Sequence, residues 1–135
     1  MSTSDWTDLL SNPEGMRELY TRTPTLPECF LFYFHIDERE SGITLGFDTR
    51  SIPDRPRPEW LRTGFNAFEF FLTFAHVTDL SLSGWNSITD RTIDLSRSTL
   101  GGITARVTNS REMISFHASS ARLSRARVYL ASSGD

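Results

Sequence analysis

Between Asn66 and Trp85 the chain reads NAFEFFLTFAHVTDLSLSGW, which places Phe68, Phe70, Leu72, Phe74, Leu80 and Leu82 at a spacing of two. Side chains alternate across a strand, so the pattern predicts sheet with these six residues on one side. A straight strand of roughly 16 residues would run about 54 Å, while a globule of this length has a radius of gyration of only about 14 Å. The run must therefore bend, and His76 to Asp79 is the expected place.

Upstream, Trp6, Leu9, Leu10, Met16, Leu19 and Tyr20 recur at helical spacing. Asp5 and Asn12 are good N-cap types and Pro13 suits a first helical position, so one or two short helices are predicted over residues 5–21. Pro24 and Pro27 stop helix and lead into a strand from Cys29 to Asp37. Strict alternation puts Phe30, Phe32, Phe34 and Ile36 on one face of that strand and Leu31 and Tyr33 on the other. Two apolar faces predict a central strand covered on both sides, with the N-terminal helices over one of them.

A charged turn at Glu38 to Gly42 and the alternation of Ile43, Leu45 and Phe47 make residues 29–48 a predicted hairpin. The three prolines of SIPDRPRPEW exclude a central strand and predict a surface connection ending on Trp60. Further strands are expected at Thr92 to Leu95, Ile103 to Val107, Met113 to His117 and Leu123 to Leu130, with turns at Gly101-Gly102 and Asn109-Ser110. The predicted fold is α+β, one domain over residues 1–135. It is a mainly antiparallel sheet of about seven or eight strands with short N-terminal helices packed on it.

Composition narrows the function classes. With 38% apolar and 23% charged residues the chain falls among soluble globules, and ten Phe make its core heavily aromatic. Cys29 is the sole cysteine and reads as a buried small hydrophobe, which excludes an intrachain disulfide and a four-cysteine metal cluster. The opening MSTSDWTDLL lacks the basic and apolar regions of an export signal, and nowhere do ~18 apolar residues run together, so a cytoplasmic protein without membrane association is expected. All 14 basic residues are Arg. Residues 1–94 carry 8 Arg against 15 acids and residues 95–135 carry 6 against 2, giving −7 and +4. The acidic larger part argues against nucleic acid as the main partner and suits a basic protein.

No phosphate-cradling loop or nucleophile elbow is present; in Gly42-Ile-Thr-Leu-Gly46 the candidate Thr44 lies mid-strand with no helix after it. Asp37-Glu-Arg-Glu-Ser-Gly42 has Arg39 at a position a calcium loop needs for a ligand, so a solvated turn is preferred. His35, Asp37 and His117 could meet across a sheet to hold a metal, but half-buried strand histidines are the commoner outcome. Arg122, Arg125 and Arg127 form the one basic cluster, with Arg125 and Arg127 on a strand face shared with Leu123 and Tyr129. That arrangement could stack or bind phosphate, although a charged edge strand explains it more simply. Trp60 and Trp85 are read first as packing residues at strand ends and second as recognition anchors.

Several landmarks together resemble the immunity protein 50 family of bacterial polymorphic toxin systems. They are Trp6-Thr-Asp-Leu-Leu with Asn12-Pro13, the strand after Pro27, the Pro53 to Trp60 segment, Phe70 to Phe74, Leu80-Ser-Leu-Ser-Gly-Trp85, and Ile114-Ser-Phe116 before a closing strand with Tyr129. The resemblance spans nearly the whole chain and rests on apolar alternation and tryptophans. It implies a non-enzymatic cytoplasmic protein that binds and neutralises a cognate toxin domain, with no cofactor and no metal. The acidic part would steer a basic toxin such as a nuclease. The expected toxin-contacting residues are Glu38, Glu40, Trp85 and Asp90. The alternatives are a β-rich module binding a small molecule or carbohydrate in a Phe- and Trp-lined pocket, and, last, an enzyme using His35, Asp37 and His117.

Overall fold

Wherever apolar and polar residues alternate, the chain forms strand. In this computed structural model, residues 6–84, 91–99 and 101–132 are described. Eight strands follow in order: β1 (Phe30–Asp37), β2 (Gly42–Thr49), β3 (Ala67–Ala75), β4 (Thr78–Ser83), β5 (Thr92–Arg97), β6 (Ile103–Thr108), β7 (Met113–Ala118) and β8 (Ser120–Tyr129). They build two four-stranded sheets, ordered β1-β2-β3-β8 and β4-β7-β6-β5, with every pairing antiparallel.

The Phe-rich run bends where expected. His76 and Asp79 take positive φ of 53° and 56°, a region non-glycine residues rarely adopt, and the chain passes from β3 in the first sheet to β4 in the second. On the return, β7 runs into β8 through Ser119, whose N–H donates to Ala75 O at 3.0 Å. A single two-stranded ribbon thus folds over at residues 76–77 and 119 and joins both sheets.

The inner faces share one core. Ile43, Leu45 and Phe47 of β2 and Phe68, Phe70, Leu72 and Phe74 of β3 meet Ala105, Val107, Ile114 and Phe116 of the second sheet. Phe74 and Phe116 touch edge to face at 5.2 Å. Burying a Phe stabilises by up to ~3 kcal/mol, so Phe47, Phe68, Phe70 and Phe74 together contribute on the order of 10 kcal/mol. The N-terminal segment closes the far end: Trp6 stacks on Phe70 at 5.6 Å and donates its indole N–H to Pro24 O at 2.9 Å, and Tyr20 meets Phe68 edge-on.

Four expectations are corrected. The short N-terminal helices are a 3-10 turn at Trp6–Leu9 and a single α-turn at Glu14–Arg17. Asn12 caps no helix; its amide donates to Leu123 O at 3.0 Å and accepts from Leu123 N–H at 2.8 Å, clamping the open edge of β8. Leu10 bridges Ala121 beside it. Second, β1 is an edge strand, and a bulge between Leu31 and Tyr33 breaks its alternation. Leu31, Phe34 and Ile36 pair with the inward residues Phe47, Leu45 and Ile43, which leaves Phe30, Phe32, Tyr33 and His35 outside. Third, Leu80 and Leu82 do not continue the buried row of β3; they are 38% and 43% exposed because β4 is the edge of its sheet. Fourth, a shift opposite Phe71/Leu72 separates inward Leu123 from outward Arg125, Arg127 and Tyr129. Among the described residues no helix is long and apolar enough to cross a membrane.

Candidate partner-binding face

The outer face of the first sheet collects the aromatic residues of β1 that its bulge turns away from the core, together with Phe71 of β3. One rung across its four strands is Tyr33, Gly46, Phe71 and Arg125; the rungs on either side are Phe30, Asp48, Glu69, Arg127 and His35, Thr44, Thr73, Arg122. Phe32, extruded at the bulge, joins the middle rung by meeting Phe71 at 5.8 Å and Tyr33 at 6.3 Å. Phe30, Phe32 and Tyr33 are 44%, 40% and 40% exposed. Isolated surface apolar residues need no explanation, but a contiguous aromatic patch on an open sheet is a candidate binding surface.

Gly46 makes the patch possible. A Cβ there would lie 2.7 Å from Phe71 Cε2 and 2.8 Å from Tyr33 Cβ. Without it, the Phe71 ring lies across β2 and meets Tyr33 edge to face at 5.6 Å. Arg125 covers the Phe71 ring from the β8 side, its guanidinium carbon 5.4 Å from the centroid.

Polar side chains tie neighbouring strands of the platform together. Thr73 donates to Ser124 Oγ at 2.8 Å and lies 3.3 Å from the Thr44 hydroxyl. Arg127 donates to Glu69 Oε1 at 2.6 Å, and Tyr129 donates to Asp48 Oδ2 at 2.6 Å. Burial first, and then the Asp48 carboxylate, push the Tyr129 phenol up to about 12.

Charge is segregated across the face. Arg122, Arg125 and Arg127 occupy β8, one edge of the sheet, while Asp37, Glu38 and Glu40 sit at the β1–β2 turn on the other. Four strands set these edges roughly 14 Å apart. Asp37 Oδ1 accepts the Glu40 N–H at 3.2 Å and shapes the turn, which leaves Glu38 and Glu40 exposed. Beside it, Ile36, Val77 and Leu80 line a groove of about 270 Å³.

The remaining candidates divide. Trp85 and Asp90 lie outside the described residues. Trp60 is half-buried, tilted against Phe68 at 6.1 Å. His35 and Asp37 stand on the first sheet and His117 on β7 of the second, and no group of three metal-ligating side chains occurs among the described residues. Cys29 is half-buried, and burial pushes its thiol up to about 12, far from the range of a nucleophile. The cleft beside it, about 700 Å³, is bordered by Glu28, Asp48, Arg50 and Arg91 and has Phe30 as its one aromatic side chain, so it is largely polar.

Sequence reasoning missed Phe30, Phe32 and Tyr33 as surface residues and did not place Phe71 beside them. The available signal was Gly46, because glycine inside a strand marks a close approach of neighbouring groups.

A family model described as immunity protein 50 matches residues 12–129. No curated protein and no solved structure matches the chain.

Proposed function

Because the chain belongs to the immunity protein 50 family, we propose that it neutralises a cognate toxin domain by direct contact, without catalysis, in the cytoplasm of a bacterium that makes the toxin. The observation that carries the contact surface is the aromatic row of exposed Phe30, Phe32 and Tyr33 with half-buried Phe71 on the first sheet. Aromatic and arginine side chains dominate binding energy in protein interfaces, and this face offers both. An inhibitor of this kind needs about 800 Å² of complementary surface and no reacting group.

Glu38 and Glu40 form the acidic rim of the same face, where they would meet a basic patch of the toxin, such as a nuclease presents. Trp85 and Asp90 stay in the proposed contact set on the strength of the sequence alone.

Inducing the toxin domain encoded beside this gene, with and without the protein, tests the reading. Restored growth together with a co-purified complex is the expected result. Tyr33→Ala with Phe71→Ala, and separately Glu38→Lys with Glu40→Lys, should each weaken the complex roughly tenfold or more. Growth arrest despite an active toxin and a folded protein would refute neutralisation. A complex indifferent to both double variants would move the interface off this sheet.

A further inference from the structure

Along the outer side of β8 runs a cleft of about 350 Å³ bordered by Arg57, Phe71, Leu123, Ser124, Arg125 and Arg127. No carboxylate lines it. Two of its three arginines have no carboxylate partner among the described residues: the ion pairs there join Arg17 to Asp8, Arg91 to Glu112 and Arg127 to Glu69.

Those two arginines are nevertheless held in place. The guanidinium of Arg57 lies 4.9 Å from the Trp60 ring centroid and that of Arg125 lies 5.4 Å from the Phe71 centroid. Stacking uses the flat face of a guanidinium and leaves its in-plane N–H donors free, the geometry that grips a carboxylate through two parallel hydrogen bonds. Arg55, two residues before Arg57, shows the structural alternative: it spends its donors on Arg17 O at 2.9 Å and Tyr20 O at 2.6 Å. Two cations bordering one cleft repel each other until an anion joins them.

We propose that this cleft receives an aspartate or glutamate side chain from an acidic docking segment of the toxin domain, gripped by Arg57 and Arg125. The inference rests on the toxin-binding reading and adds the partner's chemistry. The toxin surface is bipolar, acidic where it meets β8 and basic where it meets the turn of Glu38 and Glu40. That polarity fixes which way round the toxin docks.

The test has two arms. In the first, Arg57→Ala, Arg125→Ala and Arg125→Lys are titrated against the toxin domain encoded beside the gene. Each alanine variant should lose roughly 10- to 100-fold in affinity, as for a charge-assisted hydrogen-bonded pair. Arg125→Lys should recover only part, since it keeps the charge but not the fork. Wild-type binding with alanine variants within twofold of it would overturn the cleft assignment and leave neutralisation standing. In the second arm, which needs no toxin, a penta-glutamate peptide, a penta-lysine peptide and a single-stranded RNA hexamer are titrated while the Arg57 and Arg125 Nε–H signals are followed by NMR. Shifts at both arginines with penta-glutamate alone are expected. Silence with penta-glutamate, or tighter binding of the RNA, would overturn the proposal whatever the toxin does.

Discussion

Replacing Asn12 by Ala tests the tie between the two ends of the chain. The Asn12 amide makes two hydrogen bonds, 3.0 and 2.8 Å, to the backbone C=O and N–H of Leu123 across 111 residues of sequence. A net hydrogen bond contributes about 1 kcal/mol, and a backbone group stranded without a partner costs more. The site is half-buried, so water recovers part of the loss, and the expected destabilisation is about 2 kcal/mol. Unfolding entropy near 2.1 cal/mol/K per residue gives about 0.28 kcal/mol/K for 135 residues, so Tm should fall by about 7 °C. Circular dichroism melts measure this, and hydrogen exchange adds a local readout, because the Leu123 amide should lose protection while the amides of β2 and β3 keep theirs. Asn12→Asp should recover little: its carboxylate still accepts from the Leu123 N–H but turns a second acceptor toward the Leu123 carbonyl. A Tm within about 2 °C of wild type, with Leu123 still protected, would refute the clamp.

Two further outcomes follow from groups already described. Glu112 is 3% exposed and is held by Arg91 Nε at 2.9 Å and Asn109 Nδ2 at 3.0 Å, so Arg91→Ala strands a buried carboxylate. Urea unfolding should register a loss of about 3–5 kcal/mol, and a loss under about 1 kcal/mol would mean that the charge is solvated. For Tyr129, a folded pKa raised to about 12 means that its contribution is complete below its ordinary value of about 10 and is lost as pH rises through 12. Tyr129→Phe should remove that part of the alkaline stability loss, while its phenolate absorbance in wild type should emerge late; a midpoint near 10 would contradict the Asp48 contact.

Much of the strand layout was legible because it depends on local alternation, which Ile103 to Val107 displays without interruption and Phe68 to Phe74 with Phe71 as the one apolar residue at a polar position. Both bulges escaped. At Phe32 and Ser124 one extra residue reverses which side chains face inward, and neither carries a local mark, since the residues on both sides remain plausible strand formers. The edge position of β1 also escaped, because apolar residues on two faces describe a doubly covered strand and an edge strand awaiting a partner equally well. Asn12 was read by its local habit as a helix cap, while its actual partner lies far along the chain. The acidic turn at Glu38 and Glu40 was found from composition, whereas the aromatic row beside it depends on pairing that only the folded sheet supplies.

The position of β8 between β3 and the Asn12 clamp bears on synthesis. At about 5–20 residues per second, roughly 6 to 22 s separate the emergence of Asn12 from that of Leu123. Once Ala75 has emerged the nascent chain can pair β1, β2 and β3, but for the last 48 residues before Leu123, roughly 2 to 10 s, the free edge of β3 has no neighbour and the face carrying Phe68, Phe70 and Phe74 is uncovered. An unpaired strand edge beside aromatic side chains invites association with other chains. The ribosome-bound intermediate is therefore where chaperone capture or aggregation should concentrate, and the first sheet with its outer face is complete only after the last strand has docked.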